Sequence, residues 1–144
     1  MENIDPKMAQ RVWQRVTEGT ARQSLKPLVY TLGETAMLYQ KLSVQLKGGN
    51  SERMKQMANQ TRKFAEALRG MGHLRGEKIQ VAQPKMTKDL DRHLPEKCCR
   101  RAQLLAQELE SRNMDPEWGK VFEILAVNQW EDALFLLTLL GEGT

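Results

Sequence analysis

The strongest constraint on the fold is a repeated spacing of apolar residues in four segments of this 144-residue chain. In each segment, the residues of one face follow one another at alternate steps of three and four positions. This spacing puts one side chain per helical turn on the same side, which predicts four amphipathic helices. The four apolar faces have to be buried against one another, so the sequence predicts an all-α four-helix bundle.

The first helical hairpin is predicted over residues 24–75. Ser24 and Ser51 are expected to cap its two helices, a turn is expected at 48–50, and Gly76 is expected to end the second helix. The inward residues are predicted to be Leu25, Leu28, Leu32, Thr35, Tyr39, Leu42 and Leu46 in the first helix, and Met54, Met57, Thr61, Phe64, Leu68 and Met71 in the second.

The second helical hairpin is predicted over residues 95–140. Pro95 is expected to open its first helix, Asp115 to cap the second, and Gly141 to end it. The inward residues are predicted to be Cys98, Ala102, Leu105, Leu109 and Arg112 in the first helix, and Trp118, Phe122, Leu125, Gln129, Asp132, Leu136 and Leu139 in the second.

The segment between the hairpins, residues 76–94, shows no helical periodicity. A helix of about 24 residues is ~36 Å long, and some 18 extended residues reach ~60 Å. The segment can therefore cross the whole bundle and let helices 2 and 3 run parallel. Residues 1–22 are predicted to form a short helix, from Pro6 to about Thr17, followed by a linker. From the length of the chain, residues 1–144 are predicted to make one domain.

Cysteine and histidine content restricts the chemistry. The chain has two histidines, His73 and His93, and two adjacent cysteines, Cys98 and Cys99. These ligands do not match the number or spacing of a structural zinc site, and neighbouring cysteines rarely form a disulfide with each other. No stretch reaches the roughly 18 unbroken apolar residues of a membrane helix. We therefore expect a cytoplasmic protein without a membrane contact.

Residues 57–68 and 125–136 form an internal repeat. They align without a gap, with Met57 on Leu125, alanine pairs on alanine pairs, and Leu68 on Leu136. Each half of the chain is therefore predicted to be a related helical hairpin.

Four stretches of the chain resemble the ferritin-like domain of the rubrerythrin group, in the short bacterial form that carries this domain alone. They are residues 8–13 (Met-Ala-Gln-Arg-Val-Trp), 38–43 (Leu-Tyr-Gln-Lys-Leu-Ser), 68–71 (Leu-Arg-Gly-Met) and 115–122 (Asp-Pro-Glu-Trp-Gly-Lys-Val-Phe). The resemblance covers roughly the whole chain. It implies a ferritin-like bundle with one long crossover between helices 2 and 3.

The resemblance also implies where a di-iron site would lie, because the family holds two irons with glutamates and Glu-x-x-His pairs on the inner faces of the helices. The six corresponding positions are Leu32, Thr61, Phe64, Ala102, Gln129 and Asp132. None keeps the family ligand, and Asp132 is the only plausible remaining one. We therefore expect no metal and no other cofactor, with iron at a shifted site as the alternative.

The polar inward residues have two interpretations. Asp132 is either a residual ligand with a pKa raised by burial, or a residue that leans toward solvent or pairs with Arg101 or Tyr39. Gln129 is expected to hydrogen-bond Asp132 or Thr61. Tyr39 occupies a position that is close to the metal in the family, and here we expect a core ring with a bonded hydroxyl group.

These observations favour a non-catalytic structural or interaction protein, with a rubrerythrin-like metal-binding or oxidative-stress protein as the alternative; whether it is an enzyme stays open. An apolar patch at Trp130 and Phe135 would favour a homodimer or a related protein as partner. Nucleic acid is not expected, since acidic residues interrupt the basic group and no aromatic residue lies within it. The basic residues are Lys85, Lys88, Arg92, Lys97, Arg100 and Arg101.

Overall fold

The computed structural model describes residues 23–80 and 92–142, and within these ranges the chain is helical and has no strand. The helices are α1 (Lys26–Gln45), α2 (Gly48–Leu74), α3 (Leu94–Glu110) and α4 (Gly119–Glu142). The predicted all-α four-helix bundle is confirmed. The predicted helix at 6–17 lies outside the described residues.

The predicted inward faces form the core of the bundle. Every inward position named above is buried or partly buried. The buried apolar residues divide into two clusters along the bundle axis. The first cluster is built around Leu25, Leu32, Leu68, Leu109 and Phe122, and the second around Tyr39, Met54, Cys98, Ala102 and Leu136. The three-four spacing therefore identified the buried side of each helix correctly.

The residues that flank the helices fix the helix directions. Arg75, just after α2, forms an ion pair with Asp115, which precedes α4. Arg112, just after α3, donates a hydrogen bond of 3.3 Å from Nη2 to the carbonyl oxygen of Ser24, which precedes α1. The starts of α1 and α4 and the ends of α2 and α3 thus meet at one end, which we name the Asp115 end. Consequently, α2 and α3 run in the same direction.

The end of α2 follows the prediction. Gly76 has a φ of +84°, which a side chain would disfavour. The Gly76 amide donates to the carbonyl of His73 at 3.0 Å and the Glu77 amide to that of Gly72 at 2.8 Å, which is the Schellman pattern of a helix C-terminus. The Glu77 carboxylate then accepts a hydrogen bond of 3.0 Å from the Leu25 amide, so this turn also caps the start of α1.

The predicted turn of the first hairpin is partly wrong. Residues 48–50 belong to the first turn of α2, and the chain reverses at Leu46 and Lys47, which are both extended. Ser51 does not cap α2, since its hydroxyl donates to the carbonyl oxygen of Ser43 at 2.7 Å. Gly48 completes the reversal in the left-handed conformation, with a φ of +64°, so one of the three predicted turn residues does take part in the turn.

The predicted ends of α4 are also partly wrong. Asp115 does act as a cap, because its Oδ1 accepts hydrogen bonds of 3.0 Å from the amides of Glu117 and Trp118. The regular helix, however, begins only at Gly119, after the turn that Asp115 stabilises. Gly141 does not end α4, because it lacks the positive φ of a C-terminal glycine and the helix continues to Glu142.

Two glycines give opposite predictions for substitution by alanine. A Cβ at Gly70 has no atom within 4 Å, so Gly70→Ala should raise the free energy of unfolding, by about 0.5–1 kcal/mol, since alanine is the better helix former. A Cβ at Gly119 would clash with the backbone carbonyl of Asn113. Gly119→Ala should therefore lower the free energy of unfolding by about 1–3 kcal/mol. Urea unfolding measures both, and equal effects would contradict the close approach at Gly119.

Candidate functional site

Three polar side chains are hydrogen-bonded to one another in the interior, where α1, α2 and α4 face each other. The Tyr39 hydroxyl donates to Oε1 of Gln129 at 3.3 Å, and Nε2 of Gln129 donates to Oγ1 of Thr61 at 3.5 Å. All three residues are fully buried. The predicted bonds of Tyr39 and of Gln129 with Thr61 are present, and this Tyr39–Gln129–Thr61 chain leaves these polar groups with partners inside the core.

The internal repeat explains why two of these residues meet. Thr61 and Gln129 occupy equivalent positions in the repeats at 57–68 and 125–136. Because α2 and α4 run in opposite directions, equivalent positions can face each other near the middle of the bundle. The hydrogen bond between Thr61 and Gln129 joins the two halves of the chain at this level.

Asp132 is the buried acid of this region. Its residue surface is 3% exposed, and its Oδ2 has no hydrogen-bond partner in the part of the chain that the structure describes. Burial raises the pKa of Asp132 from its usual 3.8 to about 7; Arg53 opposes this shift and Glu131 adds to it. The interpretation in which Asp132 leans toward solvent is therefore wrong.

The cation that acts on Asp132 was missed by the sequence analysis. Arg53 belongs to the outer side of α2 and stacks over the ring of Phe135, with 5.5 Å from its guanidinium carbon to the ring centroid. No ion pair of Asp132 with Arg101 is found within the described ranges. The spacing of Arg53 marks it only as a solvent-facing residue, so nothing in the sequence connects it with α4.

Tyr39 lies in the same electrostatic environment. Burial raises the pKa of the Tyr39 phenol well above its usual range, and Asp132, Cys98 and Cys99 raise it further. The phenol therefore stays protonated and remains a hydrogen-bond donor to Gln129. Burial also raises the pKa of the Cys99 thiol, which disfavours the thiolate that would act as a nucleophile.

The remaining family positions carry no ligand atoms. Leu32 is fully buried in the first core cluster, against which Phe64 packs, and Ala102 is fully buried in the second cluster. A di-iron centre needs several anionic oxygens to balance its charge in a low-dielectric interior. The six positions supply one carboxylate, so these residues do not fit a di-iron centre. Across residues 23–80 and 92–142, no group of three or more His, Cys, Asp or Glu side chains could hold a metal ion.

The histidines lie far from this region. His73, in the last turn of α2, is exposed at the Asp115 end, whereas His93, just before α3, is exposed at the opposite end. Nδ1 of His93 is 3.4 Å from the carboxylate of Glu96. The histidines therefore cannot act as a pair of ligands for the same ion.

A second polar group, at the Asp115 end, was also missed. The Arg75 guanidinium contacts the Asp115 carboxylate at 2.5 Å and lies 4.0 Å from the centroid of the Trp118 ring. Burial alone would raise the pKa of Asp115, but the hydrogen bonds from Arg75 and from the Trp118 and Glu117 amides hold it below its usual value. The charges of this group are already satisfied, which indicates a structural role.

The predicted apolar patch is misplaced. Trp130 and Phe135 are partly buried against the second core cluster, and Nε1 of Trp130 donates a hydrogen bond to Glu110. The exposed apolar residues of α4 lie on its outer side instead: Val121, Ile124, Val127, Leu134 and Leu137. Trp130 and Phe135 therefore expose only part of their surface, because each packs in part against the second core cluster.

The predicted basic group is exposed where the structure describes it. Arg92, Lys97 and Arg100 are exposed, while Lys85 and Lys88 lie outside the described residues.

In the described part of the chain, one helical stretch, Gly119–Gly141, is long and apolar enough to span a membrane, with a mean hydropathy of 1.2. Length and composition alone are weak evidence, because the core helix of a bundle meets the same criterion.

Comparison with known proteins gives no assignment: no family model, curated protein or solved structure matches the chain. The candidate site therefore rests on the geometry described above.

Asp132 should make the stability depend on pH. Its folded-state pKa of about 7 exceeds the ordinary 3.8, so ionisation destabilises the folded protein. Stability should be highest below pH 4 as far as Asp132 is concerned, fall as the pH rises toward about 7, and then level off. At ~1.4 kcal/mol per pKa unit, the full effect is about 4 kcal/mol.

Asp132→Asn removes this ionisable group and should abolish most of that pH dependence. Relative to the wild type, the variant should gain more stability at pH 8 than at pH 4. Asp132→Leu should keep or raise stability at neutral pH, because an apolar side chain replaces a buried charge. Glu123→Gln, an exposed site on the same helix, is the control and should leave the slope unchanged. Urea unfolding between pH 4 and pH 8 tests this, and a wild-type slope retained in Asp132→Asn would refute it.

Proposed function

We propose that this protein is a ferritin-like helical bundle of the rubrerythrin kind that lacks the di-iron site and acts as a non-catalytic structural or interaction protein. The parallel directions of α2 and α3 support the ferritin-like part of the proposal, because they require one long crossover between the hairpins. The facing repeat positions Thr61 and Gln129 support a duplicated hairpin.

One observation carries the functional part of the proposal. The six positions at which the family holds iron contain one carboxylate, and the groups around it form a closed core. The Thr61 hydroxyl and the Gln129 amide are engaged in hydrogen bonds, while Leu32 and Ala102 offer only carbon atoms. The residues at the positions that would have to bind a metal thus fill the interior of the bundle and form hydrogen bonds with one another.

The physical gain of this arrangement is stability without a cofactor. Several buried carboxylates repel one another when no metal balances them, and each loses its hydration. Neutral side chains at five of the six positions remove that repulsion. The bundle then retains the fold of a di-iron protein while its stability no longer depends on iron.

The partner in this proposal is a second copy or a related protein in the reducing cytoplasm. Trp130 and Phe135 are partly buried, so they can offer only part of their surface to such a partner. The solvent-facing side of α2 carries mainly charged residues, whereas several exposed residues of α4 are apolar. These two helices therefore present surfaces of different chemistry to a partner.

A specific observation favours the alternative function. The Oδ2 atom of Asp132 has no hydrogen-bond partner among the described residues, and the Tyr39 oxygen lies in the same environment. These are two oxygen atoms of a type that binds iron. The alternative is therefore a metal-binding protein that uses a shifted site at Asp132.

Aerobic iron loading separates the two functions. The protein is incubated with Fe²⁺ in air, desalted, and examined by metal analysis and visible absorption. We expect no stoichiometric iron and no absorption band, because one carboxylate does not supply enough charge. Two irons per chain would overturn the proposal. One iron per chain that is lost in Asp132→Asn, and retained in Glu123→Gln, would establish the alternative instead.

A further inference from the structure

α4 carries a second row of residues at alternate steps of four and three, on the side opposite to the core. Each member follows an inward residue by two positions, which is about 200° around the helix. Ile124, Val127 and Leu134 in this row are 67%, 57% and 63% exposed. The full row, which we name the α4 outer row, is exposed throughout and consists of Lys120, Ile124, Val127, Glu131, Leu134 and Thr138. This spacing is that of a helix seam, so α4 has two sides suited to packing against helices, and the core uses one of them.

The corresponding row of α2 has a different chemistry. The residues that follow the inward positions of α2 by two are all exposed, and none carries an apolar side chain: Gln56, Asn59, Lys63, Glu66, Gly70 and His73. Solvation alone therefore does not require apolar residues on the outer side of a helix in this bundle. The adjacent apolar residues of the α4 outer row mark a contact surface instead.

The charges of the α4 outer row are placed symmetrically about its apolar centre. Lys120 precedes Ile124 by four positions, and Glu131 follows Val127 by four. Neither Lys120 nor Glu131 has an ion-pair partner among the described residues. When two copies of this row lie antiparallel, with the centre between residues 125 and 126, Lys120 of each copy faces Glu131 of the other. Ile124 of each copy then faces Val127 of the other.

The charges also select the orientation of such a pair. Parallel rows would place Lys120 opposite Lys120 and Glu131 opposite Glu131, where like charges repel. Antiparallel rows instead enclose two contacts between Ile124 and Val127 within two ion pairs. An anionic lipid surface fits this side of the bundle less well, because Glu123 and Glu131 are both exposed on α4.

We propose that two copies of this protein associate through their α4 outer rows, antiparallel and about a two-fold axis between residues 125 and 126. This contact deepens the interaction role proposed above, on which it rests, by naming the surface and the partner. From Lys120 to Glu131 it spans about 16 Å. Leu134 would lie beside the turn that precedes α4 of the second copy, where Met114 is 75% exposed. A contact of one helix pair is small, so the dimer should dissociate reversibly in the micromolar range.

Charge reversal tests the pairing by sedimentation equilibrium over about a hundredfold range of protein concentration. Lys120→Glu and Glu131→Lys should each raise the Kd of the dimer by at least about tenfold, because each brings two pairs of like charges together. The double variant Lys120→Glu/Glu131→Lys exchanges the charges and should restore the Kd of the wild type. Lys63→Glu is the matched control, since Lys63 is exposed on the outer side of α2, and it should leave the Kd unchanged.

A further variant tests the apolar centre of the contact. Ile124→Asp should abolish the dimer, because it places a carboxylate between apolar side chains. A wild type that is monomeric at every concentration, a dimer that Ile124→Asp leaves intact, or a double variant that is not restored would each overturn the proposal.

The iron content of the same samples separates this contact from the loss of the di-iron site. An iron-free monomer would overturn the contact through α4 and leave the metal-free bundle standing. A dimer with two irons per chain would overturn the metal-free bundle and leave the contact standing.

Discussion

The ion pair between Arg75 and Asp115 joins the end of α2 to the start of α4 and so links the two helical hairpins at one end of the bundle. Asp115 caps the first turn before α4 and at the same time binds the residue that follows α2, while Arg75 also covers the ring of Trp118. A partly buried pair of this kind stabilises only when its hydrogen bonds are complete, as they are here. With the bond from Arg112 to Ser24, it fixes both hairpins at one end and thereby sets which inward residues face one another.

The interior follows from that alignment. Near the middle of the bundle, the polar residues Tyr39, Gln129 and Thr61 satisfy one another, so their burial costs little. Asp132 remains as an acid without a nearby ion-pair partner in the described residues, and the interior responds by favouring its protonated form. The same neutrality that stabilises the core is what makes it unsuitable for a pair of iron ions.

The sequence predicted the helices, their buried sides and the Gly76 terminator, because helical periodicity and glycine conformation are local properties. It placed the turn of the first hairpin slightly too late, because the reversal begins at Leu46 and Lys47, which are not typical turn residues, and of the predicted turn only Gly48 has a left-handed conformation. It also missed the electrostatic effect of Arg53 on Asp132 and the ion pair of Arg75 with Asp115. Such interactions join residues of different elements, and a single sequence carries no signal for them. The buried state of Asp132 was one of two open interpretations, since spacing alone does not specify exposure.

The titration of the Asp132 carboxyl carbon by ¹³C NMR, with and without Zn²⁺, tests the central claim most directly. The Asp132→Asn variant assigns the resonance. A closed, neutral core predicts a midpoint at pH about 7 that does not change when the metal is added. A midpoint near the ordinary value of 3.8, or a fall of the midpoint on addition of Zn²⁺, would show a solvated or metal-binding carboxylate and would contradict the account.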